Sequence, residues 1–225
     1  MKEFEAKVLL VRETPGGAEV LLDRTAFYPS SGGQPSDTGF LDGIRVIEAI
    51  EKEEEIFHAI EGSLEPGKAV RGTVDWDRRF DLMQQHTGQH VLSQAFLAEN
   101  VGETLSVHIG FESSNLELSA QEASDEILDS VEKAANAIVE ECRPVKTYFV
   151  TPEELEALPL RKPAVSHDRI RIVERDFPDL SCRIRGESGE DSGDPCQAGR
   201  GERRWKKRKF PGIRSKPGRS PGLSF

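Results

Sequence analysis

Cysteine is scarce in this 225-residue chain: only Cys142, Cys182 and Cys196 occur, and no two of them stand in a CxxC spacing. An odd number cannot pair completely within the chain, so no disulfide framework is expected, and a reducing cytoplasm is the simplest compartment. Long apolar runs are lacking too. The longest near the start is Val8 to Val11, preceded by Lys2, Glu3 and Glu5, which is neither a signal-peptide core nor a membrane span. No membrane partner is therefore expected. The loops lack GxxxxGK[ST] and GxGxxG, so the usual nucleotide-phosphate cradles are not indicated. Histidine is absent after His167.

What is present is charge, unevenly placed. Residues 1–180 carry 18 basic and 35 acidic side chains, whereas residues 181–225 carry 12 and 5, so an acidic body precedes a basic end. Of those last 45 residues, 18 are Gly, Ser or Pro and six are Ile, Leu or aromatic, too few to bury a core. Residues 181–225 are accordingly expected to be a largely disordered tail. Its cluster Arg203-Arg204-Trp205-Lys206-Lys207-Arg208-Lys209 could touch phosphates and a base, although a solvated basic tail accounts for it as well.

Apolar runs at Val8–Val11 and Val20–Leu22 flank Thr14-Pro15-Gly16-Gly17, the pattern of two strands and a turn. Further short strands are expected at 44–50, 56–60 and 69–74, which suggests a small barrel or sandwich over residues 1–75. A helix capped by Asp77 is expected to run to about Ala98 and to open a second domain, residues 76–180. There follow expected strands at 105–111 and 115–118 and a helix through Ile127, Val131 and Val139, with a capping box at Ser119 and Glu122. Strands at 145–150 and 169–173, and a short helix after Thr151-Pro152, complete a mixed domain.

The sharpest chemical signal is His86-Thr87-Gly88-Gln89-His90. Four-residue spacing in a helix sets both imidazoles on one face, where they can share a metal ion; an ordinary polar face has the same spacing. Zinc would require at least a third ligand, and Cys182 is the cysteine that follows an expected strand and stands at the very start of the tail. Glu does not follow the first His, which disfavours a metalloprotease motif. The second signal is the loop Phe27-Tyr28-Pro29-Ser30-Ser31-Gly32-Gly33-Gln34-Pro35-Ser36-Asp37-Thr38-Gly39, dense in residues that tolerate unusual backbone angles and expose amide groups.

Together, FYPSSGGQPSDTG, HTGQH and then SVHIG, in this order, resemble the editing region of alanyl-tRNA synthetases and the free-standing alanyl-tRNA editing proteins of the AlaX type. The likeness runs from about Lys2 to Leu180. It implies an α+β fold: a small β-barrel-like N-terminal domain, then a two-layer α/β editing domain of the threonyl/alanyl-tRNA synthetase type. It further implies a metal-dependent hydrolase that removes Ser, or Gly, wrongly esterified to alanine tRNA, at a Zn2+ site of the HxxxH plus CxxxH kind. His86 and His90 match the first pair and Cys182 the cysteine of the second. A zinc-bound water is the reagent that this implies. Gln89, Thr104, Ser106 and Thr87 are substrate-contact candidates beside that site, and the likeness couples Gln34 and Asp37 of the Gly-rich loop to substrate choice. The tRNA partner needs basic contacts, for which Arg78 and Arg79 at the start of the first helix, Arg161-Lys162 and the tail cluster are candidates.

After Cys182 the chain departs from the pattern, reading Arg183-Ile184-Arg185-Gly186 where the family has a Gly-Gly-Thr-His type run. The fourth ligand is missing, and the charge reversal begins at the same place. A shifted reading frame would produce both. The alternative to an active hydrolase is a catalytically impaired or non-catalytic tRNA-binding relative that lost that ligand.

Overall fold

The structure is a computed structural model that describes residues 1–111, 113–119, 123–141, 145–156, 170–175, 214–215 and 222–224. The expected character of most of the tail, and the positions of Cys182, Arg161 and Lys162, lie outside the described residues.

Six strands, β1 (Glu3–Thr14), β2 (Gly17–Leu22), β3 (Gly39–Leu41), β4 (Ile44–Lys52), β5 (Glu55–Ile60) and β6 (Ala69–Val74), close a barrel in the order β1-β2-β5-β4-β3-β6. Alternation drives the closure. Phe4, Ala6 and Val8 of β1 and Ala18, Val20 and Leu22 of β2 point inward, while the residues between them face out. They meet Leu41, Val46, Ala49, Ile60, Val70 and Val74 in one apolar core. Pro15-Gly16 joins β1 to β2 with φ of +101° at Gly16, as a turn with Pro before Gly requires. Of the six barrel strands only β3 lies outside those expected. It has three residues, and the turn-rich loop before it hides it in the sequence.

Inside the barrel sits one titratable ring. His58 is fully buried; its Nδ1 donates to Val20 O at 3.0 Å and its Nε2 accepts from Thr25 Oγ1 at 2.8 Å. Thr25 Oγ1 in turn accepts from Phe27 N at 3.0 Å, so the neutral imidazole is satisfied on both nitrogens. Burial depresses the His58 pKa to about 4, against the raising effect of the Val20 bond.

Helix α1 (Trp76–Ala98) follows the barrel. Its cap is Asp75, not Asp77: the Asp75 carboxylate accepts from Arg78 N at 3.3 Å and the Asp75 carbonyl from Arg79 N at 3.0 Å. Strands β7 (Thr104–His108) and β8 (Asn115–Leu118) form a sheet in which β12 (Gly222–Ser224) pairs antiparallel with the other side of β8. Helix α2 (Asp125–Glu140) buries Leu128, Val131 and Ala135. It is capped by Ser124, whose side chain accepts from Ile127 N, and not by the expected box at Ser119. Ser119 instead exchanges hydrogen bonds with Glu103, 2.9 Å from its Oγ and 2.8 Å from its amide, a tertiary pairing that the local pattern cannot announce. Strands β9 (Val145–Val150) and β10 (Ile170–Arg175) pair antiparallel, with the short helix α3 (Pro152–Glu156) after β9; β11 is the two-residue strand Arg214–Ser215. Among the described residues no helix is long and apolar enough to cross a membrane.

The chain forms two compact units. One comprises Met1–Gly88, Thr104–Glu117 and Gly222–Ser224; the other comprises Gln89–Glu103, Leu118–Pro221 and Phe225. An N-terminal barrel followed by helices and further strands makes the fold α+β.

Candidate functional site

The Gly-rich loop is a built structure. Its neck is closed by Tyr28 and Asp37: the Tyr28 amide donates to Asp37 Oδ2 at 2.5 Å, and the Asp37 amide donates to Tyr28 O at 3.0 Å. Its tip is closed by a reciprocal pair between Ser31 and Gln34, at 3.1 and 2.9 Å. Gly33 has φ of +83°, and a Cβ there would lie 2.0 Å from Val107 O, so only glycine lets the loop lie against β7. The Gly33 carbonyl accepts from Ile109 N at 2.7 Å, fixing that approach.

Asp37 is 1% exposed and Arg79 7%. The Arg79 guanidinium donates to both Asp37 oxygens, from Nε at 2.8 and 2.9 Å and also from Nη2, and its Nη2 reaches Ala26 O at 2.7 Å. A buried carboxylate that also takes the Tyr28 amide has its lone pairs filled from inside the protein. Asp37, expected beside the substrate, anchors the loop from inside, and Arg79, expected on the RNA side, is buried against its carboxylate.

The loop also carries Gln34 onto α1. Gln34 Oε1 accepts a hydrogen bond from His86 Nδ1 at 2.8 Å. With the proton on Nδ1, the neutral ring carries its lone pair on Nε2, the nitrogen a metal would use, and a carbonyl on Nδ1–H is the common partner of a metal-ligating histidine. His90 lies one turn further along the same unbroken helix. Among the described residues, no cluster of three or more His, Cys, Asp or Glu that could hold a metal is present. Cys182 lies outside them.

The remaining candidates divide. Gln89 is buried and donates to Ser93 Oγ at 3.3 Å, within its own helix. Ser106 is exposed on β7 and donates across the strand pair to Glu117 Oε2 at 2.7 Å, and Thr104 opens the same strand half-buried. Arg78 is half-buried. Its Nε and Nη2 donate to Ser36 O at 3.0 and 2.8 Å, and its guanidinium lies 4.2 Å from the Phe111 ring centroid. Desolvation lowers its pKa, partly offset by the carboxylates of Asp37 and Asp75. Phe111 itself escaped the sequence reading, since a single aromatic after SVHIG carries no motif. So did Gln94, 5% exposed in α1, whose two amide atoms have no hydrogen-bond partner among the described residues. Its place four positions after His90 was the available signal.

Known proteins agree with this assembly of motifs. Residues 1–78 match the family described as tRNA synthetases class II (A). The chain is 39% identical over 169 residues to the alanyl-tRNA editing protein AlaX-M of Methanosarcina mazei, covering 69% of this chain and 66% of that protein. To the AlaX-M of Methanosarcina barkeri it is 36% identical over 167 residues, covering 69% and 68%. To the AlaX-L of Pyrococcus horikoshii it is 37% identical over 183 residues, covering 77% of this chain and 45% of that one. The match thus spans about two thirds of the AlaX-M relatives and under half of the AlaX-L relative. With the glycine loop, HTGQH and barrel in place and this degree of identity, the chain belongs to the alanyl-tRNA editing protein family.

Proposed function

We propose that this protein is a trans-acting hydrolase that cleaves the ester of serine, and of glycine, wrongly attached to alanine tRNA, in the compartment where charged tRNA is used, the cytoplasm. The observation that carries this reading is the Gln34–His86 hydrogen bond, which joins the loop motif to the helix motif in one place. The names of the relatives support it. The chemical need is general: a pocket that selects alanine cannot strongly reject smaller glycine or a serine that adds one hydroxyl, so a second hydrolytic sieve is required.

His86, held in the Nδ1–H tautomer by Gln34, and His90 fit a zinc ion as imidazole ligands, with Cys182 as the proposed third. Bound zinc would supply a positive centre for positioning water or the substrate amino group. The residues of this chain do the rest. Asp37 and Arg79 hold the loop rigid, Gly33 brings it against β7, and Gln34 fixes the imidazole that faces the ester.

The absence of any histidine after His167 favours a second reading, a tRNA-binding relative without catalysis. One assay separates them: purified protein with seryl-, glycyl- and alanyl-esters of alanine tRNA, run with added zinc and with chelator. Rapid loss of the seryl ester with the alanyl ester spared, abolished by His86→Ala, is the expected result. Equal slow decay of all three, with tRNA still bound, establishes the non-catalytic reading.

A further inference from the structure

Phe111 stands at the end of the SVHIG segment with 56% of its surface exposed, an apolar ring that contributes little to any core. It is not solvated on both faces. The Arg78 guanidinium lies over it, 4.2 Å from its centroid, and is held there by two hydrogen bonds to Ser36 O. A cation clamped on one face of an exposed ring leaves a flat, rigid surface beside a positive charge, which is the pairing used to bind a nucleic-acid base and its phosphate. All of these residues belong to one compact unit.

Position makes the pairing specific. Ser36, which holds Arg78, is two residues from Gln34, which holds His86. Arg78 and His86 are themselves eight residues apart on α1, about 12 Å along the helix axis. That is comparable to the reach of an aminoacyl nucleotide from its base to its amino acid. We propose that Phe111, backed by Arg78, is the platform on which the 3′-terminal base of the substrate RNA stacks, with the Arg78 charge toward the adjoining phosphate. This rests on the editing reading above and adds the contact that sets the ester at the His86 end of the helix. The ring reads the base through its π face and so demands a base at the terminal position; the phosphate contact is indifferent to sequence.

The test uses the full chain and uncharged alanine tRNA whose terminal adenine is replaced by 2-aminopurine, a base whose fluorescence is quenched when it stacks. Quenching on binding to the native protein is expected, retained in Phe111→Trp and lost in Phe111→Ala, with affinity falling about tenfold or more in the alanine variant. Arg78→Gln should weaken binding and reduce the slope of affinity against salt by about one phosphate contact. Unchanged fluorescence in the native complex, or equal quenching in Phe111→Ala, overturns the platform. If seryl-tRNA is still cleaved in that case, the editing reading survives alone; if native protein does not bind the tRNA, both fall.

Discussion

Gln34 and His86, 52 positions apart in the chain, are joined by a hydrogen bond of 2.8 Å from the ring Nδ1 to the amide oxygen. This is how a loop in a barrel comes to orient an imidazole on a helix. With the amide oxygen as acceptor, the bond holds a proton on Nδ1 and fixes the plane of the ring. Gln34→Ala removes the holding group and should lower zinc affinity about tenfold, the usual effect of deleting a partner behind a metal-ligating histidine. Competition against a chromophoric chelator measures it. Affinity unchanged from the native protein would show that the bond does not orient a ligand.

The Asp37–Arg79 pair makes a different kind of prediction, because both groups are enclosed. Removing one partner leaves a buried charge uncompensated. Asp37→Ala should cost about 3–5 kcal/mol in urea unfolding, while a double replacement of Asp37 and Arg79 by apolar residues of similar volume should recover much of that loss. A double variant as unstable as the sum of the two singles would contradict the account.

This pair also shows where the sequence stops being readable. Strands β1, β2, β4, β5 and β6 were legible as short apolar runs set off by turn residues, and along β2, β6 and the first half of β1 inward residues also alternate with outward ones. The motifs HTGQH and FYPSSGGQPSDTG were legible as unusual strings. Their division of labour was not: Asp37 and Arg79 look like a polar loop residue and a phosphate-seeking cation until the fold pairs them across 42 positions. The cap of α2 failed for the same reason. Ser119 and Glu122 fit the local pattern as well as Ser124 does, and only the tertiary bonds between Ser119 and Glu103 decide between them.

The β4–β5 hairpin carries local strain. Its register pairs Lys52 with Glu55, so Glu53 and Glu54 form a two-residue turn, and both have positive φ, +53° and +67°. Asn-Gly is the pair best suited to such a turn. Replacing Glu53-Glu54 with Asn-Gly should stabilise the barrel by about 1 kcal/mol, seen as a higher urea midpoint at unchanged m-value. A lower midpoint would mean that the two glutamates make compensating contacts.

The buried imidazole in the barrel should make stability pH-dependent. His58 has a native pKa of about 4 against an ordinary value of 6.5, so between those limits the unfolded chain binds a proton that the folded chain refuses. Its contribution is therefore fully present above pH 6.5 and is lost as pH falls through 6.5 toward 4. Over that window the difference amounts to about 3 kcal/mol. His58→Asn places an amide nitrogen near the position of Nδ1, where it can still donate to Val20 O, and it carries no titrating ring. The variant should be less stable at pH 7 because of the lost volume, yet its stability should fall less steeply between pH 7 and 4.5. Carboxylates such as Asp23 and Asp42, whose pKa values are lowered by their hydrogen bonds to the amides of Lys7 and Arg71, affect both proteins equally and cancel in the comparison. Parallel urea titrations across that range decide the matter: identical slopes in the native and variant proteins would mean that His58 takes up its proton without leaving the barrel.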